Sequence, residues 1–422
     1  GGTKDGAITA LRARIVFDSG CYPGTPVTVA ALMLGGYYRA DALDLVGYEV
    51  LTNKPGNGAY RAPGAPQATF AIEQAVDELA AKLGWDPLEF RLRNCSVEGD
   101  LQPNGVPWPR IGIKEILEAI RDHPAWRDRP TGPNRGIGVA IGGWPGGVEP
   151  CAANVRVNTD GSLVVQLGST DITGTNTVMA MLAAETFGIE IDKVRIESAD
   201  TGTAPYAGMS GGSKVTHNLG PALLRAADEA RPQSLAIAGS ELEASPDDLE
   251  MIEGKVRVKG SPDKEMTVAS VAQKSMAFGG KYEPVYGIGK SAQTDRAPGF
   301  SGQVAQVAID PETGKVTIER YLTVQDVGKA LNPAMVEGQM IGGGLAMVAV
   351  AQFALLTIDA DTTFVSIGWR LIVLGLGMGL VMAPMTATAV SAVPYRLAGM
   401  AAGGKKGFRQ GGGAPGPAPL GP

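Results

Sequence analysis

Between Leu11 and Phe17 the apolar residues Leu11, Ala13, Ile15 and Phe17 alternate with Arg12 and Arg14, the period of a half-buried strand. Further on the period lengthens. Ile72, Ala75, Val76, Leu79 and Leu83 recur at helical spacing, and Gly84 stands where such a helix ends. The stretches AANVRVNTDGSLVVQLGS, EGKVRVKG and AQVAIDPETGKVTIERYLTV each set β-prone runs around a glycine-containing turn, which predicts hairpins. Helical spacing returns in NTVMAMLAAETFG and GPALLRAADEA. Hairpins interleaved with helices predict an α+β architecture with mixed or antiparallel sheets rather than a doubly wound parallel one.

After about residue 340 the pattern changes. Residues 341–358 carry no charged side chain, and neither do residues 371–393. Roughly 20 apolar residues cross a hydrocarbon core of about 30 Å, so a two-helix apolar hairpin over residues 344–400 is expected. For the first run a buried helix of a soluble domain reads equally well. Gly and Pro inside the second run favour a membrane helix. The Gly/Pro-rich tail, residues 401–422, is expected to be disordered. The remainder divides at about residue 150 into parts spanning 1–150 and 151–343. The amino terminus lacks the continuous apolar stretch of a signal peptide, and strand alternation has already begun there.

Composition narrows the function. A formal charge of -6 with 37 Lys and Arg and no basic cluster argues against a nucleic-acid binder. Cys21, Cys95 and Cys151 stand far apart without a CxxC spacing, so no zinc or iron-sulfur site is legible, and buried structural thiols are the simpler expectation. With His123 and His217 the only histidines, a histidine metal site or Ser/His triad is not expected.

Three glycine-rich segments remain. In NGAYRAPGAPQATF, Arg61 sits in a constrained loop ahead of a helix, where a guanidinium holds an oxyanion in fixed geometry or makes a surface ion pair. In GSTDITGTNTVMAMLAAE, Gly174, Thr175 and Thr177 precede a helix, where they cap it or bind a phosphate at its positive end. In AGMSGGSKVTHNLGPALL, Ser210, Gly211, Gly212, Ser213 and Lys214 again lead into a helix, as a flexible loop or as a close backbone approach to pyrophosphate. None matches a P-loop or dinucleotide fingerprint.

Residues 53–94, NKPGNGAYRAPGAPQATFAIEQAVDELAAKLGWDPLEFRLRN, resemble the signature of the molybdopterin-binding subunits of molybdenum hydroxylases of the xanthine dehydrogenase and aldehyde oxidase type. GSTDITGTNT resembles that family's dithiolene-contacting loop and AGMSGGSKVT its second cofactor loop. QVAQVAIDPETGKVTIERYLTVQDVGKALNP and VEGQMIGG follow in family order, with Gln339 matching a cofactor-pocket glutamine. The resemblance covers roughly residues 5–343. It implies a molybdenum-molybdopterin cofactor and hydroxylation of a carbon of an aldehyde or N-heterocycle with water-derived oxygen. Arg61 would orient substrate, iron-sulfur and FAD groups would reside on partner subunits, and the enzyme part would be cytoplasmic.

Two departures accompany the match. A GGGFGGK-type pterin loop is expected upstream of the matched region, and no KGVGE-type motif with the family's glutamate base follows Gln339. The resemblance therefore implies little or no turnover from this chain. Residues 375–403, within a stretch from about 345, resemble a late helix and loop of major facilitator drug:proton antiporters. That likeness implies a chimera and, as the rival reading, a membrane-anchored or transport-related protein. In the copper-containing carbon monoxide dehydrogenases a cysteine follows the arginine of the AYR segment. Here Ala62, Pro63 and Gly64 follow Arg61, which points away from that branch.

Overall fold

Strand alternation at Leu11–Phe17 is realised in β1 (Ala10–Gly20), whose even-numbered arginines point to solvent. A computed structural model describes residues 1–355 other than Tyr60 and Ala199. After β1 come α1 (Val27–Gly36), β2 (Ala42–Leu51), α2 (Ala65–Leu83), α3 (Pro87–Asn94), α4 (Ile113–Asp122), α5 (Pro124–Arg127) and β3 (Arg135–Trp144). The chain continues through β4 (Cys151–Val157), β5 (Leu163–Leu167), α6 (Thr175–Phe187), β6 (Val194–Ser198) and α7 (Val215–Leu242). It closes with β7 (Leu249–Ile252), β8 (Lys255–Val258), β9 (Ser261–Thr267), α8 (Val268–Ser275), β10 (Tyr286–Ser291), β11 (Gly299–Ile309), β12 (Val316–Asp326) and α9 (Pro333–Leu355).

The expected helix around Ile72–Leu83 is α2, and Gly84 ends it with φ 73°, its amide bonding back to the Ala80 and Ala81 carbonyls. Each predicted hairpin forms. β4 pairs antiparallel with β5, β7 with β8, and β11 with β12. Parallel pairing occurs where a helix intervenes, β1 with β2 across α1 and β5 with β6 across α6. The sheets are therefore mixed, as expected for the α+β class. The helix anticipated at GPALLRAADEA is longer than its pattern, because α7 starts at Val215 and runs through Pro221 and Pro232. Tertiary packing of Leu219, Leu223, Ala226 and Ala230 outweighs the local cost of those prolines.

Two cores result. One lies between the β10-β4-β5-β6 sheet and helices α6 and α7, with Leu163, Val165, Met179 and Phe187 fully buried. The other joins α1 to α4 to the β12-β11-β3 sheet, and here Phe300 sits edge-on to Trp108 at 5.5 Å. Residues 299–326 thus return to pack with the first part of the chain. A buried Arg91 links α2, α3 and β3: its Nε donates to Glu73 Oε2 at 2.9 Å, and that oxygen also accepts from the Ile141 amide at 2.8 Å.

Of the range 344–400, where an apolar hairpin is expected, the structure describes only α9, which takes in the first run as far as Leu355. Among the described residues no helix is long and apolar enough to cross a membrane. The second run, the antiporter-like segment 375–403 and the tail 401–422 lie outside the described residues. Cys95 and Cys151 are buried thiols, pushed up to about 11 by burial, but Cys21 is exposed, because its turn lies at the edge of the fold rather than in a core.

Candidate functional site

The loop from β5 to α6 and the loop leading into α7 lie against each other. The Thr170 amide donates to Ser210 Oγ at 3.1 Å and that hydroxyl donates to the Thr170 carbonyl at 3.2 Å, so one side chain locks both loops. Backbone closeness explains the glycines. A Cβ on Gly168 would stand 2.1 Å from the Pro205 carbonyl oxygen, and Gly174, with φ 88°, would place one 1.8 Å from Met335 Cε.

Gly174 is the N-cap of α6 and Thr175 its first residue, nearly buried, while Thr177 is half-buried in the same turn. Neither the N-cap of α6 nor that of α7 supplies a side-chain cap, so first-turn amides of both helices are left without that partner. One competitor is present, since the Asn176 amide donates to Asp171 Oδ1 at 3.2 Å. Buried oxygens without a partner lie on the same segments, at Ser169 Oγ, Asn176 Oδ1 and Asn218 Oδ1.

Of the second loop, Ser210 and Gly211 are half-buried, and Gly212 and Ser213 are exposed with φ 73° and 57°. Lys214 does not project outward. Its buried ammonium pairs with Glu149 and donates to the Met209 carbonyl at 2.6 Å, closing the loop on itself. The Lys214 hydrogen bond holds the Glu149 carboxyl below its ordinary range, and Tyr206 OH donates to the same carboxylate at 3.0 Å. Packing leaves space only for glycine at 208, where a Cβ would meet the Glu149 carboxylate at 2.2 Å.

Arg61 lies in the loop entering α2, exposed, directly before turns set by Ala62 at φ 51° and Gly64 at φ 86°. No hydrogen bond or ion pair ties its side chain to the other two loops among the described residues. The connection runs through β3: Gly143 N donates to Tyr37 OH, which bonds Thr69 Oγ1 of α2 at 2.7 Å, and Trp144 Nε1 donates to the Gly212 carbonyl at 2.8 Å. Thr69 of the first glycine segment and Gly212 of the third therefore border the C-terminal end of β3, and the second segment joins them through Ser210. Gln339, half-buried on α9, lies one turn beyond Met335 and on the same helix face, the one that meets Gly174. Sequence patterning passed over Trp144, Glu149, Ser169 and Asn218. The run WPGGVEP offered the one signal, another glycine turn directly after a strand.

Residues 115–365 match a family profile for the molybdopterin cofactor-binding domain, and residues 1–95 match a second profile of the same description. The chain belongs to the molybdopterin cofactor-binding family. The first match takes in the apolar run 341–358 as well as both helix-leading loops. Among relatives, the xanthine dehydrogenase molybdenum-binding subunit of Escherichia coli O157:H7 is 33% identical over 387 residues, covering 86% of this chain and 51% of that protein. The nicotine 6-hydroxylase large subunit of Paenarthrobacter nicotinovorans is 29% identical over 391 residues, covering 84% of this chain and 48% of that protein. Quinoline 2-oxidoreductase from Pseudomonas putida 86 shares the fold with a TM-score of 0.72 at 26% identity, over 83% of this chain and 49% of that one. The chain spans about half the length of the curated relatives it matches.

The residues present fit a molybdopterin group. A pyrophosphate-bearing pterin needs closely approaching backbone amides and polar groups for its ring, and two helix N-termini lined by glycine and by unpartnered buried oxygens provide that chemistry. Metal ligands are not needed from side chains, and among the described residues no cluster of His, Cys, Asp or Glu could hold a metal ion.

Proposed function

We propose that this chain is the cofactor-holding part of the large subunit of a molybdenum hydroxylase, which hydroxylates a carbon of an aldehyde or N-heterocycle with oxygen derived from water. The observation that carries the reading is the pair of adjacent helix N-termini locked by Ser210, inside a family match. When bound, the molybdenum-molybdopterin group supplies the two-electron redox chemistry. The chain's own part is to bind and orient. Amides of Gly174, Thr175 and Thr177 and of Gly211, Gly212 and Ser213 would hold the anionic portion, Lys214 keeps its loop closed, and Gln339 would approach from α9. From the α2 loop the Arg61 guanidinium would orient substrate and stabilise developing negative charge.

Relatives named as acting on xanthine, nicotine and aldehydes support this substrate range. Carbon monoxide dehydrogenase large chains are also similar, but Ala62 after Arg61 favours the carbon-hydroxylating branch. Electrons would leave through iron-sulfur and FAD subunits, since a chain with three isolated cysteines has no ligand set for a cluster of its own. The reading places the protein in the cytoplasm. A membrane-anchored chimera, the rival, rests on residues outside those described.

The test is expression in a host that makes the cofactor, followed by acid release and fluorescence assay of the pterin. Stoichiometric pterin in the folded chain, lost in a Gly212→Val variant of unchanged circular dichroism, is expected. A folded chain that carries no pterin in such a host would overturn the assignment.

A further inference from the structure

β3 ends at Trp144, and residues 145–150 after it belong to neither helix nor strand, yet this WPGGVEP run braces the loop that leads into α7 at separate points. Trp144 Nε1 donates to the Gly212 carbonyl at 2.8 Å, and a Cβ on Gly147 would stand 3.0 Å from the same oxygen. Glu149 pairs with Lys214 and accepts from Tyr206 OH at 3.0 Å. The run is itself held from behind. Arg296 Nη1 donates to the Gly146 carbonyl at 3.3 Å, and Gly146, at φ 72°, has no room for a Cβ beside the Ala297 carbonyl oxygen at 2.6 Å.

A carboxylate is a costly neighbour for a loop that binds an anion, because like charges repel. Glu149 offsets that cost through what it does to Lys214. A lysine in a Gly-Ser-Lys turn ahead of a helix is placed to meet an anion directly, but this ammonium is buried and already engaged. It donates to the Met209 carbonyl at 2.6 Å and its charge is matched by Glu149. Lys214 therefore closes a ring over residues 209–214, and within that ring Ser213 holds a left-handed φ of 57°, a conformation that a residue with a side chain keeps only under outside constraint.

We propose that Glu149 is a positioning residue of this cofactor loop: it holds the Lys214 ammonium back from the anion and so fixes the turn of Gly211, Gly212 and Ser213, which makes Lys214 a clamp and not a ligand. The inference rests on the cofactor reading for what the loop binds. The clamp itself can be followed without cofactor, since Trp144 reports where Gly212 lies.

Glu149→Gln, Lys214→Met and the double variant are each expressed in a host that makes the cofactor, and pterin release into cofactor-free buffer is timed. The emission of Trp144 is taken from the cofactor-free chains by subtracting their Trp144→Phe counterparts. Each single variant releases pterin about tenfold faster, and the double variant is no faster than either, because the two side chains act as one unit. Trp144 emission shifts to the red in all of them as the Gly212 carbonyl leaves its indole N–H. Tyr206→Phe, which removes only a hydroxyl from an exposed side chain, moves both readouts the same way by less and serves should Glu149→Gln misfold. Slower release from Glu149→Gln overturns the proposal, because Lys214 would then be a ligand that the carboxylate restrains. Unshifted Trp144 emission overturns it as well. Should no version carry pterin, the cofactor reading fails by itself, and the emission still decides whether the clamp exists.

Discussion

Replacing Arg91 by Met tests the network that anchors β3 beneath the candidate site. Arg91 is fully buried, pairs with Glu73 at 2.9 Å and Asp77 at 2.7 Å, and also donates to the Pro87 carbonyl at 3.0 Å. Without it, Glu73 keeps Tyr38 OH and the Ile141 amide but loses its countercharge inside the core. Breaking one partner of a buried pair costs about 3–5 kcal/mol, and typical domains hold only about 5–15 kcal/mol in total. The Asp77 contact adds little, because that carboxylate is half exposed. Urea denaturation should therefore show a lower midpoint with an unchanged slope. Burial already raises the Glu73 carboxyl above its usual value, and removing Arg91 raises it further. An acid whose folded pKa lies above its unfolded one loses stability as pH rises between the two, so the deficit should be largest near neutral pH and shrink on acidification. Adding Glu73→Gln should recover most of the loss. A deficit below about 1 kcal/mol, or one insensitive to pH, would refute the view that the charge is uncompensated.

Gly174→Ala should cost about 1–2 kcal/mol through its left-handed backbone and more through the clash of its Cβ with Met335, and Met335→Ala should recover only the clash; thermal melts of the single and double variants check this. Ser210→Ala removes both bonds to Thr170 and should lower stability by about 1–2 kcal/mol while raising proteolytic cleavage between residues 206 and 214. Asp18 and Glu49 are both held at about 2, the first mainly by Lys54 and the second mainly by the Thr25 and Gly24 amides. Because their folded values are depressed, the stability they confer is complete above the ordinary carboxylate range and disappears as pH falls through about 2. The protection of amides in the 18–25 turn, taken relative to their intrinsic exchange rate at each pH, should therefore fall on acidification, and protection that is flat down to pH 2 would contradict the assignment.

What the sequence determined by itself was local. Period-two alternation around Leu11, the glycine stop after Leu83 and the hairpin turns depend on neighbours within a few positions, so β1, α2 and the β4-β5 and β11-β12 hairpins were legible without coordinates. The three glycine segments were legible as loops leading to helices, and ordered resemblance supplied their chemistry. Tertiary structure decided which of them meet. Ser210 reaching Thr170, Trp144 reaching Gly212, and Lys214 turning back onto Glu149 are contacts between residues 40 to 68 positions apart, which no periodicity encodes. The same holds for α7, whose prolines argue locally for a break at Pro221 while burial of its alanine face in the core keeps it whole. Backbone propensity acts over one turn of chain, whereas the burial that overrides it is summed over everything the element packs against.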